Sequence, residues 1–325
     1  MIRFNIPLQP RNLPSQMNLG DTILLTGSCF TEHMAARFRQ YKFNVLDNPN
    51  GILFNPLSIA KALDRALDGQ PYGQKDLFKH DGLWAHWDFH SRFSDPSPDL
   101  ACGQMNASVR ATKQFLAAAD WLLITLGTAW VFERPDVGVV ANCHKMPGAG
   151  FTRRLLRPEE VVSAMEPVLQ RLQTANPKLG IILTVSPVRH LRDGFVENNR
   201  SKASLITAVH DLTEKLPATN YFPAYELIID DLRDHRFYAE DLVHPNYQAT
   251  AYVWEKFAEA AITGASREAM KEIDRLQAAI QHRPLHPDSE AHAAFRKKHL
   301  EMASSLASRF PRLDFSRDID FFSEK

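Results

Sequence analysis

Three short apolar segments constrain the fold of this chain most strongly, and each is followed within two residues by serine or threonine. They span residues 22–26, 121–126 and 181–185, and the turns that follow are Gly27-Ser28, Gly127-Thr128 and Ser186-Pro187. Each segment has the length of a strand and lacks the polar alternation of a half-exposed one. Because helical patterns separate them, they predict right-handed βαβ units and a parallel sheet covered by helices on both faces.

The rest of the chain fills in around this sheet. We expect an extended lead-in over residues 1–20, a short strand at 43–46, a last sheet strand within 221–231, and hairpins around Asp81-Gly82 and through 130–142. Beyond residue 266 the pattern predicts about two helices and a polar tail at 311–325. The predicted organisation is a domain over residues 1–264 and a C-terminal helical extension over 265–325.

Composition excludes several functional classes. Lys plus Arg and Asp plus Glu both total 38, so the net charge of zero favours neither nucleic acid nor an anionic membrane as partner. The three cysteines are widely spaced, which indicates a reducing compartment. The N-terminal residues lack the apolar core of a signal peptide, and no segment reaches transmembrane length. We therefore expect a cytoplasmic protein.

Ser28 is the first candidate catalytic residue. It follows a strand at Gly27 and precedes a helical pattern that starts at Phe30. A serine in such a turn stands at the carboxyl edge of the sheet, where it can act as a nucleophile. The alternative is a helix N-cap, because serine is among the preferred capping residues.

A serine nucleophile needs a base, and Asp241 and His244 are the best-spaced partners. A carboxylate three residues before a histidine can accept its Nδ1–H and so orient the imidazole. The alternative assigns Asp241 to a turn and His244 to the entry of the following helix. The order serine, aspartate, histidine along an α/β chain favours the catalytic interpretation.

These segments resemble the GSCFA domain family, a branch of the SGNH/GDSL-type hydrolases, over about residues 20–260. The matching segments are Gly27-Ser28-Cys29-Phe30 and residues 50–59, 125–131, 142–145, 186–190, 198–203, 221–227 and 241–245. The resemblance implies a three-layer α/β/α, flavodoxin-like fold. It also implies Ser28 as nucleophile, His244 as general base, Asp241 as the partner of the histidine, and an acyl-enzyme that water hydrolyses.

The oxyanion hole is where the sequence departs from the superfamily pattern. SGNH enzymes use the amide of the nucleophile, a glycine amide, and an asparagine side chain from a third motif. Here Ser28 and Gly51 match the first two donors, but the motif beginning at Gly127 contains no asparagine. Thr128 or Asn142 is the expected replacement.

Substrate-binding candidates are aromatic and basic residues near the expected site. They are His86, His90, Trp130, Arg189 and His190. His86 and His90 can equally pack a hairpin onto the core, and Arg189 can equally serve as a structural anchor. Lys202 is interpreted as part of a solvated helix face, and Cys29 as a small core residue.

The sequence thus predicts a serine esterase that acts on an O-acyl ester, such as an acetyl ester, of a carbohydrate or another small polar molecule. It predicts no cofactor, and no metal site, because Cys143-His144 lacks the spaced ligand pairs of zinc sites. Two alternatives stay open: an O-acyltransferase with the same triad, and a non-catalytic carbohydrate-binding module on a degenerate hydrolase fold.

Overall fold

The computed structural model describes residues 6–323 and contains ten strands and ten helices in that range. The strands are β1 (Thr22–Gly27), β2 (Asn44–Asp47), β3 (Phe78–His80), β4 (Leu83–Ala85), β5 (Trp121–Leu126), β6 (Trp130–Arg134), β7 (Gly138–Val140), β8 (Thr152–Leu155), β9 (Gly180–Val185) and β10 (Thr219–Tyr221). The helices are α1 (Phe30–Gln40), α2 (Pro56–Asp68), α3 (Pro98–Ala118), α4 (Pro158–Ala175), α5 (Gly194–Lys215), α6 (Ala224–Glu226), α7 (Tyr247–Ala261), α8 (Gly264–Gln281), α9 (Glu290–Arg309) and α10 (Ser316–Ser323).

The central sheet has five parallel strands in the order β2-β1-β5-β9-β10. Counted along the chain, this is the 2-1-3-4-5 order of flavodoxin-like folds. The predicted three-layer α/β/α fold is therefore confirmed. Its three central strands are mostly apolar because helices cover both faces, and β5 is buried at every position.

Alternate residues of each strand face two separate hydrophobic clusters. Leu25 and Leu123 point toward a cluster formed with α1 and α7, whereas Leu24 and Leu122 point toward one formed with α2, α4 and α5. Side chains of α8, α9 and α10 join the first cluster. The proposed boundary at residue 264 stays a prediction.

Both predicted hairpins are present, and the second one carries an additional strand. Asp81 and Gly82 have φ values of 48° and 79°, the left-handed conformations of a two-residue turn between β3 and β4. The second insertion is a three-stranded antiparallel sheet, because β8 pairs with β6 on the side opposite β7. The sequence analysis missed β8.

The last sheet strand, predicted within residues 221–231 as a strand or a strand and turn, lies earlier in the chain. β10 ends at Tyr221, and residues 227–232 form a single π-helical segment rather than a strand. Pro223 lacks the amide needed to continue the ladder, and Leu227 and Ile228 bury their side chains in the core from a helix instead. An apolar run of this length fits either structure.

The two ends of the described chain also pack on the domain. Met17 in the lead-in donates its amide to Ala261 at the end of α7 (2.7 Å). Residues 1–5 of that lead-in, and 324–325 of the tail, lie outside the described residues. The expected polar tail was wrong, because α10 buries Phe322 against α9. Between residues 6 and 323, no helix has the length and apolar character needed to cross a membrane.

A largely buried ion pair joins α10 to the segment between α1 and β2, and its loss is expected to destabilise the protein. Lys42 Nζ lies 2.6 Å from Asp318 Oδ2, and Gln277 donates to the other carboxylate oxygen. Replacing Asp318 by alanine leaves the lysine without its partner, so we expect the free energy of unfolding to fall by about 3 kcal/mol in urea titrations. Asp320→Ala, at an exposed position of the same helix, should change it little. Equal stability of the two variants would contradict this role.

Candidate active site

The turn after β1 presents Ser28 at the carboxyl edge of the sheet. Gly27 has φ +139°, and a Cβ there would lie 2.1 Å from the Thr125 carbonyl oxygen, so this turn requires glycine. Helix α1 is preceded by Cys29 as N-cap residue, without a side-chain capping bond. Ser28 Oγ is buried and has no hydrogen-bond partner among the described residues. The serine is therefore not acting as a helix cap.

Asp241 and His244 form the carboxylate–imidazole pair that their spacing predicts. His244 Nδ1 lies 2.6 Å from Asp241 Oδ2. Asp241 Oδ1 accepts the backbone amides of Val243 (2.9 Å) and His244 (3.0 Å). These amides and the imidazole lower the pKa of Asp241 to about 2, so the carboxylate is ionised at neutral pH. Since Nδ1 donates to it, Nε2 carries the lone pair that a general base needs.

The loop that carries His244 is fixed to the carboxyl edge of the sheet. The amide of Arg189, just after β9, lies 3.4 Å from the carbonyl oxygen of Val243. Burial lowers the pKa of His33 in α1 and of His190 after β9, and the nearby imidazole of His244 lowers both further. His244 thus lies between the start of α1 and the end of β9, on the edge that carries Ser28. It does not hydrogen-bond Ser28 in this structure, and apo enzymes often show such loose catalytic contacts.

The expected oxyanion donors already have acceptors within the protein. The amides of Ser28, Gly51 and Thr128 donate to the carbonyl oxygens of Thr125, Asn48 and Phe54 at 3.0, 2.7 and 3.0 Å. The Thr128 hydroxyl pairs with Ser201 (3.0 Å). Asn142 Oδ1 accepts the amide of His144 (2.7 Å). Their role toward a substrate oxygen stays a prediction.

Asn48 is a further donor that the sequence analysis missed. Its side chain is fully buried, and its Oδ1 accepts the amide of Gly27 at 2.9 Å. This bond fixes the orientation of the amide group and leaves Nδ2 buried without a partner among the described residues. Asn48 also has φ +40°, a conformation that few non-glycine residues adopt. An unpartnered buried donor next to the Gly27-Ser28 turn suits a site that receives a polar ligand.

Helix α5 holds the loops after β5 and β9, which the sequence did not reveal. Ser201 Oγ accepts the amide of Ala129 (2.7 Å), and Asn198 Oδ1 accepts that of His190 (2.9 Å). Lys202 donates to the carbonyl oxygens of Gly127 and Ser186, both at 2.7 Å. Lys202 is 1% exposed, so its assignment to a solvated face was wrong. Ser201 and Lys202 follow Asn198 by three and four residues, which places the three side chains on one face of the helix.

The substrate-binding candidates fall into two groups. His90 lies against Gly51, where an added Cβ would approach the histidine Cβ to 2.2 Å, and His190 contacts Phe54 at a ring distance of 5.2 Å. His86 instead packs inside the hairpin region, with its ring 4.4 Å from that of Tyr72. Trp130 donates its indole N–H to the carbonyl of Glu197 at the start of α5 (3.2 Å).

Arg189 faces a cavity next to the pair formed by Asp241 and His244. The cavity has a volume of about 660 Å³, and its lining includes Phe195, Asp241 and Leu242. Phe195 and Leu242 are 60% and 53% exposed. The Arg189 guanidinium lies 5.9 Å from the Phe195 ring and makes no ion pair with a described carboxylate. The cavity therefore offers an aromatic face and a cation to a ligand.

Burial keeps two other groups near Ser28 uncharged. Burial, together with Lys202 and His244, lowers the pKa of His190 to about 4, so this imidazole is neutral at pH 7. Burial raises the pKa of the Cys29 thiol, which opposes a thiolate nucleophile. Within residues 6–323 no cluster of three or more His, Cys, Asp or Glu side chains can hold a metal ion.

Comparisons with known proteins agree with the family resemblance. Among solved structures, a carbohydrate esterase family 3 protein from Talaromyces cellulolyticus matches with 10% identity, covering 78% of this chain and 99% of that chain at a TM-score of 0.36. An acetyl xylan esterase (Est2A) from the rumen bacterium Butyrivibrio proteoclasticus matches with 14% identity, covering 84% of this chain and 66% of that chain at a TM-score of 0.36. A search of curated proteins found no match. The profile of the GSCFA domain protein, C-terminal domain, matches residues 273–325, and that of the GSCFA family matches residues 22–257. Since this second profile covers most of the chain, the protein belongs to the GSCFA family.

Proposed function

We propose that the protein is a serine ester hydrolase of the SGNH type, with Ser28 as nucleophile, His244 as general base and Asp241 as its orienting partner. The observation that carries the proposal is the 2.6 Å contact between His244 and Asp241 on the sheet edge where Ser28 directly follows β1. A buried serine hydroxyl without a partner, an ionised aspartate and a histidine with a free Nε2 are the parts that acyl transfer requires.

The reaction proceeds in two acyl transfers. His244 Nε2 takes the proton of Ser28 as Oγ attacks the ester carbonyl, and Asp241 stabilises the imidazolium that results. The tetrahedral intermediate collapses when His244 returns the proton to the leaving alcohol, which leaves an acyl group on Ser28. Water then attacks this acyl-enzyme with the same proton transfers and releases the carboxylic acid.

Burial and lining favour a small acyl group on a polar alcohol. Ser28 has no exposed surface, so an acyl chain much longer than acetyl requires the surrounding side chains to move. The cavity beside Asp241 combines the exposed face of Phe195 with the guanidinium of Arg189. An aromatic face next to polar groups suits a sugar ring, whose C–H groups stack while its hydroxyls form hydrogen bonds.

A chain-length series tests the proposed substrate class. We expect kcat/KM to fall from acetyl to butyryl to octanoyl p-nitrophenyl esters, since each added methylene has to fit beside the buried Ser28. Acetylated mono- and oligosaccharides should release acetate, measured by an enzyme-coupled assay, and Ser28→Ala should release none. A preference for octanoyl esters, or inactivity toward every acetyl ester, would contradict the proposal.

Acyl transfer to a second alcohol is the other candidate function, and the burial of Ser28 favours it. A site that admits little water can pass its acyl group to a bound hydroxyl instead. Incubation with p-nitrophenyl acetate and free sugars separates the two reactions. Acetylated sugar, detected by mass spectrometry, indicates transfer, whereas acetate as the only product indicates hydrolysis.

A further inference from the structure

Lys202 is the most unusual ionisable group near the proposed site. Lys202 lies in the first half of α5, and its ammonium group is buried where two carbonyl oxygens, of Gly127 and Ser186, accept hydrogen bonds at 2.7 Å. These carbonyls belong to the turns that directly follow β5 and β9. An ammonium has three N–H groups, so one donor is left after these two bonds.

The charge of Lys202 is not neutralised by a neighbouring carboxylate. Its nitrogen forms no ion pair with any carboxylate in the described part of the chain. The groups that act on it or face it are Cys29 from the turn before α1, Arg189 and His190 from the segment after β9, and the Tyr225 ring at 5.9 Å. His244 acts on the same His190 from the opposite loop. The amide of Ser28 donates to the carbonyl oxygen of Thr125, two residues before Gly127 (3.0 Å), so the buried ammonium of Lys202 lies beside the segment that holds Ser28.

We propose that Lys202 is a positioning residue for the proposed ester hydrolysis, which holds the turn after β5 against α5 and stabilises, through its charge, the negative oxygen that forms next to Ser28. The inference rests on the proposed function. It accounts for a motif that lacks the usual asparagine, since a fixed buried cation can stabilise developing negative charge without a direct contact.

The proposal predicts a particular pH dependence. Burial lowers the pKa of Lys202 to about 7, an effect that Cys29 opposes and Arg189 reinforces. The ammonium is therefore present below this pH and lost above it. Since kcat/KM reports ionisations of the free enzyme, it should decrease as the pH rises through about 7.

Four variants of α5 separate charge from simple packing. Lys202→Met keeps the length of the side chain and removes its charge, and Lys202→Gln, which retains two N–H donors for the carbonyls, replaces it if the methionine variant does not fold. Ser201→Ala weakens the same loop contacts but keeps the ammonium. Lys215→Met removes an exposed lysine of α5 that pairs with Glu166 and serves as the neutral control.

The experiment measures kcat/KM for p-nitrophenyl acetate from pH 5.5 to 9, together with the labelling rate of Ser28 by a fluorophosphonate. We expect Lys202→Met to lose about 10²-fold in both rates at pH 6.5 and to lose the alkaline decrease. Ser201→Ala should keep that decrease, and Lys215→Met should match the unmodified protein. An unchanged profile in folded Lys202→Met or Lys202→Gln overturns this inference alone. A Ser28 that is unreactive in the unmodified protein overturns the proposed function and, with it, the inference.

Discussion

Replacement of Ser28 by alanine is expected to lower kcat/KM for p-nitrophenyl acetate by about 10⁴- to 10⁶-fold, to a rate near that of the uncatalysed reaction. The reason is that no other group can form the acyl-enzyme: the neighbouring thiol of Cys29 is held protonated by burial. The alanine variant should fold normally, because Ser28 Oγ makes no hydrogen bond within the described residues. Steady-state kinetics with purified protein and a thermal melt measure both effects.

Cys29→Ala is the matched control for this prediction. It removes the only other nucleophilic side chain in the Gly27–Phe30 turn, and the structure assigns Cys29 no part in the reaction. We expect activity within about threefold of the unmodified protein, as for a small change outside the reacting groups. Hydrolysis that survives Ser28→Ala but disappears in Cys29→Ala would show that the thiol, not the hydroxyl, is the nucleophile.

Removal of the base should be about as severe as removal of the nucleophile. We expect His244→Ala to lower kcat by about 10⁴- to 10⁶-fold and Asp241→Asn by about 10⁴-fold. An asparagine keeps the size of the side chain but cannot stabilise the imidazolium, and its amide favours the wrong histidine tautomer. The pKa of Asp241 is lowered from the ordinary 3.8 to about 2. Protonation of this carboxylate therefore reduces activity and stability only as the pH falls from about 3.8 toward 2.

Glu240→Gln is the control for the Asp241 variant. Glu240 is the adjacent carboxylate, is exposed, and has no hydrogen bond or ion pair within the described residues. A neutral amide there should leave kcat/KM and its pH profile unchanged. If Asp241→Asn proved as active as Glu240→Gln, the pair of Asp241 and His244 would be a structural feature of the loop, which was the alternative interpretation of this motif.

Sequence patterns were sufficient where the structure depends on local burial. The runs at β1, β5 and β9 are apolar at almost every position because both faces of the sheet are covered, and this signal needs no knowledge of the partners. The strand predicted within 221–231 failed because the pattern does not distinguish a buried strand from a buried helical turn. Helix α10 was missed because its apolar residues pack on α8 and α9, and a local sequence pattern does not show this packing.

Chemical types and spacing were likewise sufficient to predict the contact between Asp241 and His244, but not the bonds of Lys202 and Asn48. The contact of His244 with Asp241 follows from a separation of three residues. Lys202 looked like a surface lysine, because its carbonyl partners come from turns 16 and 75 residues away in the sequence. Asn48 was missed for the same reason: its importance lies in a bond to Gly27 in the neighbouring strand.

The most direct test of the central claim is to locate the residue that reacts with a fluorophosphonate. The protein is treated with the reagent, digested, and analysed by peptide mass spectrometry, with Ser28→Ala treated in parallel. The account predicts one adduct, on Ser28, that forms at the rate at which esterase activity is lost and is absent from the variant. An adduct on another residue, or loss of activity without modification of Ser28, would contradict it.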